Sequence, residues 1–229
     1  MSIADKLTTI AENEQKVYDK GVTDGNNEMD LKHLECITGN GKRTSWNYFL
    51  TGTDYTGYTF PATVKVSGNN RYYFSNMFYD YRGTHLPANI DLSGIAENTI
   101  LTGWFTWSTK LVEIPDMGLP AVSFDSITAC TALKKIEVIR CNGTNSVLQF
   151  SNCPNLEEIR IEGTIGKNVS FYNSPLLTYE TLMSIINALK DYSEDTSGTV
   201  YTCSIGSANL EKLAEEEQQI ATDKGWTLS

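Results

Sequence analysis

The chain has 229 residues, 40% of them hydrophobic and 20% charged, with a formal net charge of −10 and a pI of about 4.7. That length fits one elongated domain, or a domain with an appendage, and the composition is too apolar for a disordered chain. An acidic chain with no basic stripe is not built for nucleic acid, so the acidity acts as a solubility device.

Residues 1–22 form the first predicted element. Ile3, Leu7, Ile10, Glu14 and Val17 step by 4, 3, 4 and 3, a heptad seam interrupted by one charge. Such a seam is too short to hold a coiled coil alone. Ile3, Leu7, Ile10 and Val17 are therefore expected to dock on the rest of the chain, on a partner, or on further copies in a homo-oligomer. The run Gly21-Val-Thr-Asp-Gly-Asn-Asn that follows is polar and turn-rich, and is predicted to be a loop or linker.

Residues 30–69 are expected to form an N-terminal cap rich in aromatics. Twelve of the chain's 24 aromatic residues fall between Trp46 and Tyr81. A run such as Tyr72-Tyr73-Phe74 cannot turn every ring inward on a strand, because side chains alternate between faces. Trp46, Tyr48, Tyr55, Tyr58, Tyr72, Tyr79 and Tyr81 are thus candidates for an exposed recognition surface, since Tyr and Trp give large contact area at low entropic cost. The same rings also suit a cap that seals the first layer of core.

Residues 70–177 carry an internal repeat. Phe105-x-x-Ser108-x-x-Leu111-x-x-Ile114 is followed by Ile127-x-x-Cys130-x-x-Leu133-x-x-Ile136, by Phe150-x-x-Cys153-x-x-Leu156-x-x-Ile159, and by Phe171-x-x-Ser174-x-x-Leu177. The leucines are 22, 23 and 21 residues apart, inside the range of about 20–29 for leucine-rich repeats. One unit of that size cannot close a core alone, so neighbours stack and share it. Cys130 and Cys153 then fill the tight inward turn of each unit rather than serving redox or metal chemistry. An earlier, degenerate unit runs from Phe78 through Leu86-Pro87, with Ile90 and Leu92 continuing it.

Residues 178–229 depart from the repeat and are expected to cap it. Leu182, Ile185, Ile186 and Leu189 are spaced as one face of a helix, with Thr178 as its N-cap. Val200 to Ile205 alternates as a strand. Ser207 is predicted to cap one second helix with Leu210, Leu213, Ala214, Glu217, Ile220 and Ala221 on a single face, ended by Lys224-Gly225 and followed by a short strand Trp226-Thr-Leu228.

Catalytic and metal-binding patterns find no support. The five cysteines are odd in number and form no CxxC pair, and His33 and His85 are the only histidines, so neither a disulfide framework nor a zinc site is expected. The stretch from Asp24 to Cys36 places Met29 and Cys36 where a calcium loop requires Gly and Glu. No nucleophile elbow, phosphate loop or dinucleotide fingerprint occurs. Carboxylate pairs such as Glu157-Glu158 sit between inward positions and should face solvent, where glycosidase chemistry has no cleft. No catalytic residue, cofactor or metal is therefore expected, and the chain is not expected to be an enzyme. The start MSIADKLTTI has no signal-peptide pattern and no apolar run is long enough to span a bilayer, so synthesis in a cytosol without membrane insertion is expected.

The Phe/Ile-x-x-Cys/Ser-x-x-Leu-x-x-Ile template resembles the BspA-type bacterial leucine-rich-repeat family over roughly residues 70 to 177. The two ends, MSIADKLTTIAENEQKVYDKG and IATDKGWTLS, are similar to those of leucine-rich-repeat proteins encoded near the tail genes of phages and prophages of gut Firmicutes. The resemblance implies an α/β solenoid with short parallel strands, an N-terminal helix and an α/β C-terminal cap. It also implies a non-catalytic role in the virion tail region, as a fibre or baseplate component that contacts other virion proteins or a host-surface glycan or protein. A bacterial adhesin and an intracellular protein-interaction scaffold are the alternatives.

Overall fold

The computed structural model describes residues 49–68, 74–144 and 148–229. The predicted helix with Ile3, Leu7, Ile10 and Val17, and the first part of the predicted aromatic cap, lie outside the described residues.

The fold is mixed α/β, with eleven strands in three sheets and three helices among the described residues. Strands β1 (Thr59–Gly68) and β2 (Ala88–Ile95) form a two-stranded sheet. Strands β3 (Ile100–Leu101), β5 (Ser123–Thr128), β7 (Leu148–Ser151), β9 (Val169–Tyr172), β10 (Tyr201–Ser204) and β11 (Trp226–Leu228) form a six-stranded sheet in that spatial order. Strands β4 (Glu113–Ile114), β6 (Lys135–Asn142) and β8 (Glu158–Thr164) form the third. From β3 to β9 the chain passes alternately between the second and third sheets, and every strand pairing among the described residues is parallel.

The four repeat positions all face the space between those sheets. Phe105, Ile127, Phe150 and Phe171 are at most 1% exposed. Leu111, Leu133, Leu156 and Leu177 are fully buried, and Ile114, Ile136 and Ile159 line up in strand register. Equivalent residues therefore touch their counterparts one repeat on. Phe78 stacks on Phe105 with ring centroids 4.7 Å apart and planes 5° off parallel. Ser108 Oγ donates to the Phe78 carbonyl at 2.9 Å, and the Cys130 thiol to the Phe105 carbonyl at 2.8 Å. At Ser108 and Cys130 the small residue is thus a buried donor that ties one repeat to the one before it.

The residue just before that small side chain has a left-handed backbone in every repeat: Trp107 (φ 64°), Ala129 (φ 59°), Asn152 (φ 54°) and Asn173 (φ 56°). The conformation turns the chain inward after β3, β5, β7 and β9. Asn accepts it readily, whereas Trp and Ala occupy it against an intrinsic cost of about 1–2 kcal/mol. The turn is held by a ladder in which Trp107, Ala129 and Asn152 N–H groups donate to the carbonyls of Thr128, Ser151 and Tyr172.

Helix α1 (Tyr179–Ala188) takes the place of the next strand beside β8. Thr178 caps it as the sequence predicts, its hydroxyl accepting from Thr181 N–H, and Leu182, Ile185, Ile186 and Leu189 are buried. Beyond β10, the single predicted helix is two: α2 (Ser207–Leu210) and α3 (Glu215–Asp223). Ser207 lies inside α2, and Gly206 is the N-cap residue. Ala214 is extended at the break, and Glu217 is not a core residue but accepts from Ala214 N–H at 2.8 Å. The Gln218 amide donates to the carbonyls of Leu210 and Leu213, so the interruption leaves those acceptors satisfied. Lys224 and Gly225 (φ 80°) end α3 before β11, and Trp226 closes the core with its indole N–H on the Lys190 carbonyl. Among the described residues no helix is long and apolar enough to cross a membrane.

Candidate binding surfaces

The aromatic segment packs inward more than its sequence suggests. Tyr81 is fully buried: its hydroxyl donates to the His85 carbonyl at 2.7 Å and accepts from Tyr55 N–H at 3.2 Å, and burial pushes its phenol pKa up. Tyr55 is 8% exposed, with its ring against Tyr58 and Phe60. These two tyrosines are core residues and are corrected out of the candidate surface. Tyr58 and Tyr79 are half-buried, and burial also raises the Tyr58 pKa. Trp46, Tyr48 and Tyr72 lie outside the described residues. The buried core includes Phe49, Phe60, Phe74, Met77, Phe78 and Trp104, the last donating its indole N–H to the Phe74 carbonyl. The described part of the segment therefore contributes most of its rings to the core. Among the described residues the exposed rings lie elsewhere, on Trp107, Tyr172 and Tyr179.

The outward face of the β4–β6–β8 sheet is charged. The residue before each inward isoleucine points away from the core, which places Glu113, Lys135 and Glu158 side by side in register. Lys135 Nζ lies 3.4 Å from Glu113. Further along the strands Arg140 is held between two acids. Its Nη1 and Nη2 meet Asp116 Oδ1 and Oδ2 at 2.9 and 2.6 Å, and its Nε meets Glu162 at 3.2 Å. Arg140 also donates to the Leu119 carbonyl at 3.1 Å. Arg160 pairs with the other Glu162 oxygen. Glu137 accepts from Asp116 N–H at 2.9 Å. The Arg140 fork holds the Asp116 carboxyl below the usual carboxylate range, and Asp116 in turn raises the Arg140 pKa.

A shallow cleft of about 630 Å³ opens where this face meets α1, lined by Lys135, Glu137, Glu158, Arg160, Glu180 and Ser184. Thr181 fixes its wall: the hydroxyl donates to the Glu157 carbonyl at 3.1 Å and accepts from Ile159 N–H at 3.1 Å. The arrangement offers both signs of charge on a fixed backbone, which suits polar recognition and register rather than a proton-transfer step. The repeat template carried a signal for it, because Glu113, Lys135 and Glu158 occupy the same repeat position.

Among the described residues no group of three His, Cys, Asp or Glu side chains is placed to hold a metal ion. Cys130, Cys141, Cys153 and Cys203 are buried thiols, and burial pushes the Cys203 thiol up to about 12. In comparisons with protein-family models, curated proteins and solved structures, no match to the chain was found.

Proposed function

We propose that the chain is a leucine-rich-repeat solenoid that works by binding, as a non-catalytic structural protein of a phage or prophage tail region. The observation that carries the binding reading is the charged ladder on β4, β6 and β8. Its side chains are fixed by cross-strand pairing, open to solvent, and next to a cleft. Repeats of 21–23 residues with inward leucines on parallel strands support the solenoid. The tail setting rests on the likeness of the two ends of the chain to tail-region proteins. In this reading Ile3, Leu7, Ile10 and Val17 attach the protein to other virion proteins or to copies of itself, and the charged face meets a host-surface or virion protein.

The test is binding of labelled full-length protein to intact Firmicute cells, side by side with Lys135→Glu and Arg160→Glu. Saturable binding that either charge reversal weakens supports the reading. Protein that ignores cells but captures a cytosolic partner through the same face would place the chain among scaffolds instead.

A further inference from the structure

A second cleft has the contrary chemistry. The C-terminal ends of β7, β9, β10 and β11, with the turns that follow them, enclose a cleft of about 990 Å³. In a chain of net charge −10 none of the side chains lining this cleft is charged; they are Asn, Ser, Thr, Pro, Tyr and other neutral residues. Tyr172 stands at it 65% exposed. Asn152 and Asn173 project from successive left-handed turns and are joined by one bond, Asn173 Nδ2 to Asn152 Oδ1 at 2.9 Å. That bond leaves one amide donor group and one amide acceptor for a ligand. The Ser174 hydroxyl among the lining residues is 2% exposed and has no hydrogen-bond partner, although Ser108 at the same repeat position donates to a carbonyl.

We infer that this cleft is a binding site for a neutral oligosaccharide. A sugar presents hydroxyls that both donate and accept, and Asn amides and Ser hydroxyls do the same without asking for a counter-charge. The C–H face of a pyranose is apolar and lies flat on an exposed aromatic ring, here Tyr172, while the amides fix its orientation. An anionic polymer or a charged peptide segment finds no charged side chain among the residues lining this cleft. The inference deepens the binding reading by naming a ligand class for a second surface, and rests on that reading only in that the chain works by binding.

The experiment is isothermal titration and saturation-transfer NMR of the full chain with maltohexaose, cellohexaose, chitotetraose and a galactan oligomer. At least one of these is expected to bind. Tyr172→Ala is expected to weaken that binding about tenfold, the scale of one lost stacking contact. Asn173→Gly, which keeps the left-handed turn, is expected to weaken it as well. Both variants should melt within a degree or two of the parent, about what a surface change away from the core gives. Arg160→Glu, on the charged face, is expected to bind the sugar unchanged. It therefore separates this site from the surface proposed for cell binding. No binding of any of the four at millimolar concentration, or binding that Tyr172→Ala leaves intact, overturns the inference.

Discussion

Phe150 and Phe171 occupy the same position in successive repeats and stack with ring centroids 5.0 Å apart and planes 8° off parallel. Both lie in strand register on neighbouring strands of the six-stranded sheet and are at most 1% exposed. Each repeat therefore supplies half of a contact that the next repeat completes. Phe150→Ala removes a ring that its neighbours cannot replace, and is expected to cost about 3–5 kcal/mol. Urea denaturation should show a lowered midpoint with the slope kept. A loss below about 1 kcal/mol would mean that the repeats do not share one core.

The Asp116–Arg140 pair gives the charged face a pH dependence. Because the folded pKa of Asp116 is lowered, its stabilisation is fully present above the pKa of an unfolded aspartate, about 3.9, and is lost as the pH falls through the lower folded value. The pair is roughly one-third exposed, so its contribution is expected to be at most about 1 kcal/mol. Thermal melts of the parent and of Asp116→Asn should differ most at neutral pH and converge on acidification. A difference that grows as the pH falls contradicts the sign.

Helix α1 is tied to β8 through two threonines. Thr178→Ala removes the N-cap and is expected to cost about 1 kcal/mol. Thr181→Val keeps the shape but leaves the buried Ile159 N–H without its acceptor, at about 1–3 kcal/mol. Hydrogen exchange read at Ile159 should accelerate in Thr181→Val and stay close to the parent in Thr178→Ala. Equal rates in all three proteins would remove Thr181 from the wall of the charged cleft.

The proposed attachment role of Ile3, Leu7, Ile10 and Val17 makes a statement about mass. Light scattering of the full chain should give a trimer or larger assembly, and a chain beginning at Asp30 a monomer. Two monomers would take self-assembly away from the seam and leave it to dock in cis or on another protein.

The repeat positions were legible because their spacing has one physical cause: each repeat returns the chain to the same place in a shared core. Phe105, Cys130, Leu133 and Ile159 are buried as the template requires. The aromatic cap was less legible. Tyr79 lies in, and Tyr81 directly after, a run of turns that includes left-handed Asn76 and Asp80, where the face alternation of a strand does not apply. The break between α2 and α3 was hidden for another reason. No Gly or Pro interrupts Leu210 to Ala214, and the break is held by contacts distant in sequence, with Lys212 Nζ donating to the Pro175 and Leu177 carbonyls. The charged ladder needed strand register, which shows that Arg140 meets Glu162 and that Lys135 meets both Glu113 and Glu158.

The proposed function has the chain bind its ligand without turning it over. Its most direct test is incubation of the full protein with purified cell-surface polysaccharide from a strain that it binds, followed by sizing of the polymer and assay of new reducing ends. The account predicts saturable, reversible binding with the polymer recovered at its starting size. Steady release of fragments, abolished by a single carboxylate substitution on the charged face such as Glu158→Gln, would contradict it.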